Sequence, residues 1–201
     1  MRLHQGRLDL IFFTKLHHFD IQERRMNMDE KERLNALEVA LNNEMKEREF
    51  YLKNAERTKN ALGKAMFRQI GDDELEHYAR LQQLKVEWEK KGIWPDTLPL
   101  RVNETEIRGI LTKFLQKVDQ TATSDDDDLQ AIRTAIDFEE KGTDFYRKLR
   151  DAVTDKKEKE FFDLLSKIEY EHFLALKDVE EYFVDPADWY RVHEHHTLDG
   201  A

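Results

Sequence analysis

An internal repeat that covers most of the chain is the feature that most constrains its fold. When the sequence is shifted by 95 residues, two long segments align without a gap. The aligned residues are alike in size, charge or aromatic character: Ala36, Leu37, Ala40, Leu41, Glu44, Phe50 and Tyr51 match Ala131, Ile132, Ala135, Ile136, Glu139, Phe145 and Tyr146, while Phe67, Glu74, Glu76, His77 and Leu81 match Phe162, Glu169, Glu171, His172 and Leu176. The two segments are therefore predicted to form the same structural unit twice.

Each unit is predicted to be a pair of antiparallel helices. Apolar residues recur at helical spacing, and 38% of the residues are charged, which suits long helices with solvated outer faces. The chain has only 7 glycines and 3 prolines, too few for the turns of a β-sandwich or an α/β fold. Turn signals lie at Asn60 and Gly63 and at Thr154 and Asp155. The predicted helices run from about Asp29 to Lys59, from Asn60 to Lys91, from Asp127 to Asp151 and from Asp155 to Phe183.

A long connection over residues 92–125 joins the two predicted hairpins. Two helical hairpins linked by such a crossover form an all-α four-helix bundle, here expected over residues 29–184. The connection is expected to contain one short helix, from Glu104 to Val118. The acidic run Asp125–Asp128 could bind a metal ion, but its position favours capping of the third helix, whose N-terminus attracts negative charge.

The two ends of the chain differ from the bundle. Residues 1–28 are interpreted as an N-terminal extension without the long apolar core of a signal peptide, and a cytoplasmic protein is expected. Residues 185–201 are expected to form a tail, in which His193, His195 and His196 could bind metal or be solvated. Trp189 and Tyr190 of this tail are expected to fold back onto the bundle or a partner subunit. No apolar run approaches the roughly 18 residues of a membrane span. The net charge of −10 argues against nucleic acid as a partner.

The residues with the clearest chemical pattern are two histidines. Only His77 and His172 lie within the predicted helices, and each follows a glutamate by three residues, which places both side chains on one helix face. Residues equidistant from the turn of a hairpin lie side by side, so a further glutamate of each hairpin lies at the same height. The predicted cluster contains four carboxylates and two imidazoles: Glu44, Glu74, His77, Glu139, Glu169 and His172.

These six side chains are predicted to point into the bundle, because apolar residues precede and follow them on the same helix faces. Four buried carboxylates without compensation would each cost several kcal/mol, and two divalent cations would balance their charge. Oxygen and nitrogen ligands without any cysteine favour iron or manganese over structural zinc. The alternative is a pair of Glu–His pairs on the surface of two acidic helices.

The motifs resemble the diiron domain of the rubrerythrin family, within the ferritin-like superfamily, over about residues 29–184. The resemblance is carried by two Glu-x-x-His motifs and by a tyrosine seven residues after each upstream glutamate. It implies a ferritin-like bundle with two iron ions, bridged by Glu74 and Glu169. It also implies that Glu44 and Glu139 are terminal ligands and that each histidine binds one ion. Tyr51 and Tyr146 would donate hydrogen bonds to ligand carboxylates, although either could simply be a core aromatic residue.

Two departures from the family pattern are visible. Rubrerythrins proper carry a rubredoxin-like domain whose iron is held by four cysteines, and this sequence has none. The family also has an additional glutamate on the third helix, where this chain has Gly142. Glu47, three residues after Glu44, is the candidate for a movable seventh ligand, and the alternative is a solvated helix residue.

The function implied by this resemblance is that of a diiron oxidoreductase that reduces hydrogen peroxide. Its electrons would come from an external carrier such as a rubredoxin. The ligands do not distinguish this activity from that of a ferroxidase or iron-handling protein using dioxygen. Two further alternatives are a redox-inert, metal-stabilised structural bundle and a diiron oxygenase, which would require a pocket for an organic substrate. A homodimer or larger homo-oligomer is expected from the resemblance and from the expected exposure of Trp94 and Trp189.

Overall fold

Four long helices make up most of the regular structure among the residues that the structure describes. The computed structural model describes residues 30–92, 105–107, 109–110, 125–189 and 191–192, and no strand occurs among these residues. The helices are α1 (Glu30–Arg57), α2 (Ala61–Lys91), α3 (Asp126–Ala152) and α4 (Lys156–Val184). Their ends agree with the predicted ends to within two residues. The prediction of an all-α bundle built from two hairpins is confirmed.

Polar side chains define the turns of the two hairpins. Asn60 caps α2 by accepting a hydrogen bond from the Gly63 N–H at 3.0 Å. Asp155 caps α4 in the same way, accepting from the N–H groups of Lys157 and Glu158. Such caps satisfy N–H groups that have no partner in the first turn of a helix, so each hairpin turn is specified locally.

The acidic run before α3 acts as a helix cap, as the sequence predicts. The Asp125 side chain accepts a hydrogen bond from the Asp128 N–H at 2.7 Å. Asp128 is buried and accepts a hydrogen bond from the Arg57 guanidinium at 2.9 Å, which connects the end of α1 to the start of α3. The carboxylates of this run therefore serve the helix N-terminus and the junction between the hairpins.

The bundle contains two apolar clusters with a polar layer between them. α1 packs along α2 and α3 along α4, and the hairpins meet through α1 with α3 and α2 with α4. One cluster includes Phe67, Ile132 and Leu176, and the other includes Leu81 and Phe162. Each such buried side chain contributes about 1.5–3 kcal/mol. On every helix the two clusters are separated by the turn that carries the predicted ligands.

Several predictions fall outside the described residues. These are the extension over residues 1–28, Trp94, Tyr190 and the histidines of the tail. Of the predicted short helix in the crossover, only residues 105–107 and 109–110 are described, and Ile107, Gly109 and Ile110 are helical. Among the helices described, none has a segment long and apolar enough to cross a membrane.

Trp189 folds back onto the bundle, which confirms one of the two expectations for it, and its expected exposure is wrong. Its side chain is 3% exposed and packs edge-on against Tyr182 of α4, with ring centroids 5.3 Å apart. Its indole N–H donates a hydrogen bond to Asp178 at 2.9 Å. The chain after α4 folds back on its own bundle because the indole finds both an apolar surface and an acceptor there. Trp189 therefore gives no support for an oligomer.

A second buried acidic group lies at the end of the bundle near the α3–α4 turn. Glu158 is 3% exposed, and Arg33 approaches its carboxylate at 3.4 Å. The Arg33 guanidinium also lies over the Trp88 ring, 4.9 Å from the centroid. Burial raises the pKa of Glu158 to about 7, because the positive charge of Arg33 offsets only part of the desolvation.

This pKa predicts a pH-dependent stability. The folded protein binds a proton at Glu158 more tightly than the unfolded chain does. The contribution of Glu158 to the free energy of unfolding is therefore fully present below pH 4.5 and is lost as the pH rises through about 7. The loss is at most roughly 3 kcal/mol. We expect Glu158→Gln to gain about 1–3 kcal/mol relative to the wild type between pH 5 and pH 8, measured by urea unfolding. Glu160→Gln, an exposed neighbour, is the control, and an identical pH profile for wild type and Glu158→Gln would contradict the assignment.

Candidate metal centre

The polar layer at the middle of the bundle brings together all six predicted ligands. Each of the four helices contributes one or two of them, and every one of these side chains is at most 2% exposed. They are Glu44 from α1, Glu74 and His77 from α2, Glu139 from α3, and Glu169 and His172 from α4. The alternative of two surface Glu–His pairs is wrong, because both pairs are buried and face each other across the bundle.

One group of carboxylates surrounds His77. Its Nδ1 atom lies 3.1 Å from Glu44 Oε2, 3.3 Å from Glu74 Oε2 and 3.3 Å from Glu169 Oε1. Glu74 is on the same helix, Glu44 is on the other helix of the same hairpin, and Glu169 belongs to the opposite hairpin. Helices α1, α2 and α4 therefore each direct one carboxylate at the same imidazole nitrogen.

A second group surrounds His172 in the same manner. Its Nδ1 atom lies 3.4 Å from Glu139 Oε2, 3.6 Å from Glu169 Oε2 and 3.7 Å from Glu74 Oε1. The two imidazole rings are roughly parallel, with centroids 6.1 Å apart. Glu74 and Glu169 belong to both groups, and each directs one oxygen towards each histidine. This is the geometry expected of carboxylates shared between two neighbouring ions.

Burial and mutual repulsion dominate the electrostatics of this layer. Burial, together with the charges of Glu169 and Glu44, raises the pKa of Glu74 well above its usual value. Burial and Glu169 likewise raise the pKa of Glu139, to about 8. Burial alone would lower the pKa of His77, but its hydrogen bonds to Glu169 and Glu44 raise it instead. Buried carboxylates this close together must bind protons or cations, because their negative charges are otherwise uncompensated.

The donor atoms fit divalent metal ions. Within each group, the four candidate ligand atoms lie within 4.8 Å of one another. Buried Oε atoms of Glu74, Glu139 and Glu169 and the Nδ1 atom of His172 have no hydrogen-bond partner in the described part of the chain. Buried polar atoms are rarely left unpaired unless a water molecule or an ion satisfies them. Carboxylate oxygens with one imidazole each are a ligand set that suits iron or manganese.

Two tyrosines connect the hairpins through this layer. Tyr51 of α1 donates a hydrogen bond to Glu139 of α3, and Tyr146 of α3 donates one to Glu44 of α1. Both tyrosines are at most 2% exposed. Each hydroxyl therefore orients the upstream glutamate of the opposite hairpin. The sequence allowed each tyrosine to be either a hydrogen-bond donor to a ligand carboxylate or a core aromatic residue. In the structure both tyrosines are buried in the core and also contact candidate ligands.

Glu47 is buried beside the six candidate ligands. It is 8% exposed and lines a small cavity with Glu44, Gly142 and Glu169. Burial and the charges of Glu44, Glu139 and Glu169 raise its pKa well above the usual value. A Cβ at Gly142 would lie 3.4 Å from Glu169 Cγ, so glycine keeps that side of the cavity free. The alternative that Glu47 is a solvated residue is wrong, although its carboxylate is not part of either group of converging ligand atoms.

One further contact, between Asp73 and His172, has no signal in the sequence. Asp73 Oδ2 lies 2.9 Å from His172 Nε2, across the interface between α2 and α4. Asp73 has no acidic counterpart in the repeat, since residue 168 is isoleucine. Neither helical periodicity nor the repeat therefore singles it out.

Comparison with known proteins agrees with these features. The chain matches the protein family described as Rubrerythrin over residues 35–180. That range contains all four helices except a few terminal residues, and all six candidate ligands. Searches of curated proteins and of solved structures found no match to the chain.

The shared position of two glutamates predicts different effects of removing different ligands. His77→Ala or His172→Ala should each weaken one ion position and leave the protein helical. Glu74→Ala or Glu169→Ala should weaken both positions, because each carboxylate faces both histidines. Metal content per chain and circular dichroism measure these effects. Equal loss of metal from all four variants would contradict the assignment of Glu74 and Glu169 as bridges.

Proposed function

Because this chain belongs to the rubrerythrin family, we propose that it is a diiron oxidoreductase that reduces hydrogen peroxide to water. The observation that carries the proposal is the pair of overlapping Glu/His groups that share Glu74 and Glu169. Glu74 and Glu169 would hold both ions in one site, where the pair would supply the redox chemistry for reduction of one peroxide molecule. Manganese could occupy the same ligands, but iron supplies the redox chemistry of the proposed reaction.

The six candidate ligands would bind the two ions in different ways. Glu74 and Glu169 would bridge them, Glu44 and Glu139 would each bind one ion, and the Nδ1 atoms of the histidines would complete the two positions. When two ferrous ions are bound, they supply two electrons to the O–O bond of hydrogen peroxide, and two protons complete its reduction to two water molecules. Four carboxylates match the charge of two divalent ions, which makes the buried layer nearly neutral.

The surrounding side chains keep the ligands in place and the site dry. The hydroxyls of Tyr51 and Tyr146 each hold one carboxylate oxygen of Glu139 and Glu44. Hydrogen bonds of this kind fix the orientation of a ligand and are expected to influence affinity. The apolar clusters on both sides of the layer exclude bulk water along the bundle axis.

Glu47 is proposed as a carboxylate that moves between two positions during the redox cycle. Its burial beside Glu44 and Glu169 places it near the ion position of His77. The absence of a side chain at Gly142 leaves space on the opposite wall of the cavity. A ligand that can bind or withdraw would let one ion change its coordination between its reduced and oxidised states.

Electrons are proposed to come from a separate carrier protein such as a rubredoxin. The chain contains no cysteine, so its own residues cannot form a four-cysteine iron site. A homodimer or larger homo-oligomer stays a prediction that rests on the family resemblance.

The proposed activity predicts how iron reacts with oxidants. After anaerobic loading with ferrous iron, we expect two ions per chain and much faster oxidation by hydrogen peroxide than by dioxygen, followed by stopped-flow absorbance. Comparable or faster oxidation by dioxygen would instead indicate ferroxidase or oxygenase activity. Bound iron that neither oxidant oxidises would indicate a structural metal site. Failure to bind iron stoichiometrically would exclude a diiron centre.

The proposed movement of Glu47 makes a separate prediction. Glu47→Gln should retain two ions per chain but slow oxidation by peroxide at least about tenfold, because the neutral amide is a poor ligand for iron. Glu49→Gln, on the exposed face of the same helix, is the matched control and should react at the wild-type rate. A Glu47→Gln variant as fast as the wild type would show that Glu47 plays no part in the reaction.

A further inference from the structure

We propose that Asp73 is a positioning residue for His172, and that its hydrogen bond makes the ion position at His172 bind metal more tightly than the position at His77. This inference rests on the metal centre proposed above, but not on the identity of the oxidant. The six candidate ligands are the same residue types in both copies of the internal repeat, yet the two halves of the site are proposed to differ in metal affinity.

The first observation is the contact between Asp73 and the outer nitrogen of His172. Asp73 Oδ2 lies 2.9 Å from His172 Nε2, and a carboxylate can only accept a hydrogen bond. Nε2 therefore carries the proton and donates. The hydrogen bond fixes the ring so that Nδ1 faces the carboxylates of Glu139 and Glu169, at 3.4 and 3.6 Å. In this arrangement one imidazole nitrogen is free to bind an ion, while the hydrogen bond at the other nitrogen fixes the orientation of the ring.

The second observation is that Asp73 is itself held from two sides. The Gln69 side-chain amide donates to Asp73 Oδ1 at 2.9 Å, and the Thr105 hydroxyl donates to Asp73 Oδ2 at 2.7 Å. Thr105 belongs to the crossover between the hairpins, and its neighbour Ile107 is fully buried in one of the apolar clusters. These contacts leave the carboxylate little freedom to rotate. The crossover therefore contributes to the orientation of one histidine.

The third observation is the contrast with His77. Its Nε2 atom is buried and has no hydrogen-bond partner among the residues that the structure describes. The repeat aligns Asp73 with Ile168, which is 4% exposed and belongs to the other apolar cluster. The isoleucine side chain has no atom that can accept a hydrogen bond from an imidazole N–H. Within the described part of the chain, the ring of His77 is thus held by packing and by its Nδ1 contacts, without a carboxylate at Nε2.

These differences lead to unequal affinities. Loss of a hydrogen-bond partner of a metal-binding histidine typically weakens metal binding by about 10- to 100-fold. The position that includes His172 should fill first, and the position that includes His77 should fill second. The six ligands alone predict no such order, because the repeat supplies each half of the site with the same residue types.

The experiment titrates the metal-free full chain with Mn²⁺ under anaerobic conditions and follows binding by calorimetry and electron paramagnetic resonance. We expect two resolved affinities for the wild type. Asp73→Leu should weaken the tighter step by about 10- to 100-fold and leave the weaker step unchanged. Asp73→Asn should retain most of the affinity, because its amide oxygen can still accept from Nε2. Thr105→Val should give an intermediate loss, and Asp72→Leu, at the exposed neighbouring position, is the matched control.

A second measurement does not depend on metal. In the metal-free protein, the Nε2–H proton of His172 should give a solvent-protected proton resonance that Asp73→Leu removes and Asp73→Asn retains. Absence of this resonance from the wild type would overturn the proposal, as would equal weakening of both Mn²⁺ steps in Asp73→Leu or no weakening at all. Should the wild type bind no Mn²⁺ and no iron, the proposed metal centre would fail as well. Two bound ions with unchanged affinities in a folded Asp73→Leu variant would overturn only the role of Asp73.

Discussion

Burial of four carboxylates and two imidazoles at one height of the bundle is the constraint on which the rest of the structure depends. Charged groups in this position are tolerated only when their charges are balanced and their polar atoms have partners. Neither hairpin can meet this condition by itself. The group around His77 includes Glu169, and the group around His172 includes Glu74. Association of the hairpins and completion of both groups are therefore the same event.

The polar layer also explains how the core is organised. On each helix, the turn that carries the ligands separates apolar residues of one cluster from those of the other. The clusters supply the hydrophobic free energy of the fold, and the layer between them fixes the relative height of the helices. Tyr51 and Tyr146 reinforce this register, because each reaches from its own hairpin to a glutamate of the other. A shift of one hairpin along the other would break both hydrogen bonds and both groups of ligands together.

The two halves of the chain differ at positions beside the ligands rather than at the ligands themselves. Glu47 corresponds in the repeat to Gly142, and Asp73 corresponds to Ile168. One difference adds a buried carboxylate near Glu44, and the other gives His172 Nε2 a hydrogen-bond partner that His77 Nε2 lacks among the residues the structure describes. A repeated hairpin yields a nearly symmetric set of candidate ligands. In this bundle the residues beside those ligands make the two halves of the set unequal.

The sequence by itself determined the four helices, their caps and the six candidate ligands. These features depend on local periodicity, on side chains that cap their own helix, and on Glu-x-x-His spacing, which places two groups on one helix face. Only the tertiary structure decided that Glu74 and Glu169 face both histidines, that Glu47 is buried beside Gly142, and that Trp189 packs against Tyr182. The contact between Asp73 and His172, which are 99 residues apart, is likewise visible only in the tertiary structure. These contacts depend on the rotation and height of each helix against the others, which arise from packing of the whole bundle and leave no local pattern in the chain.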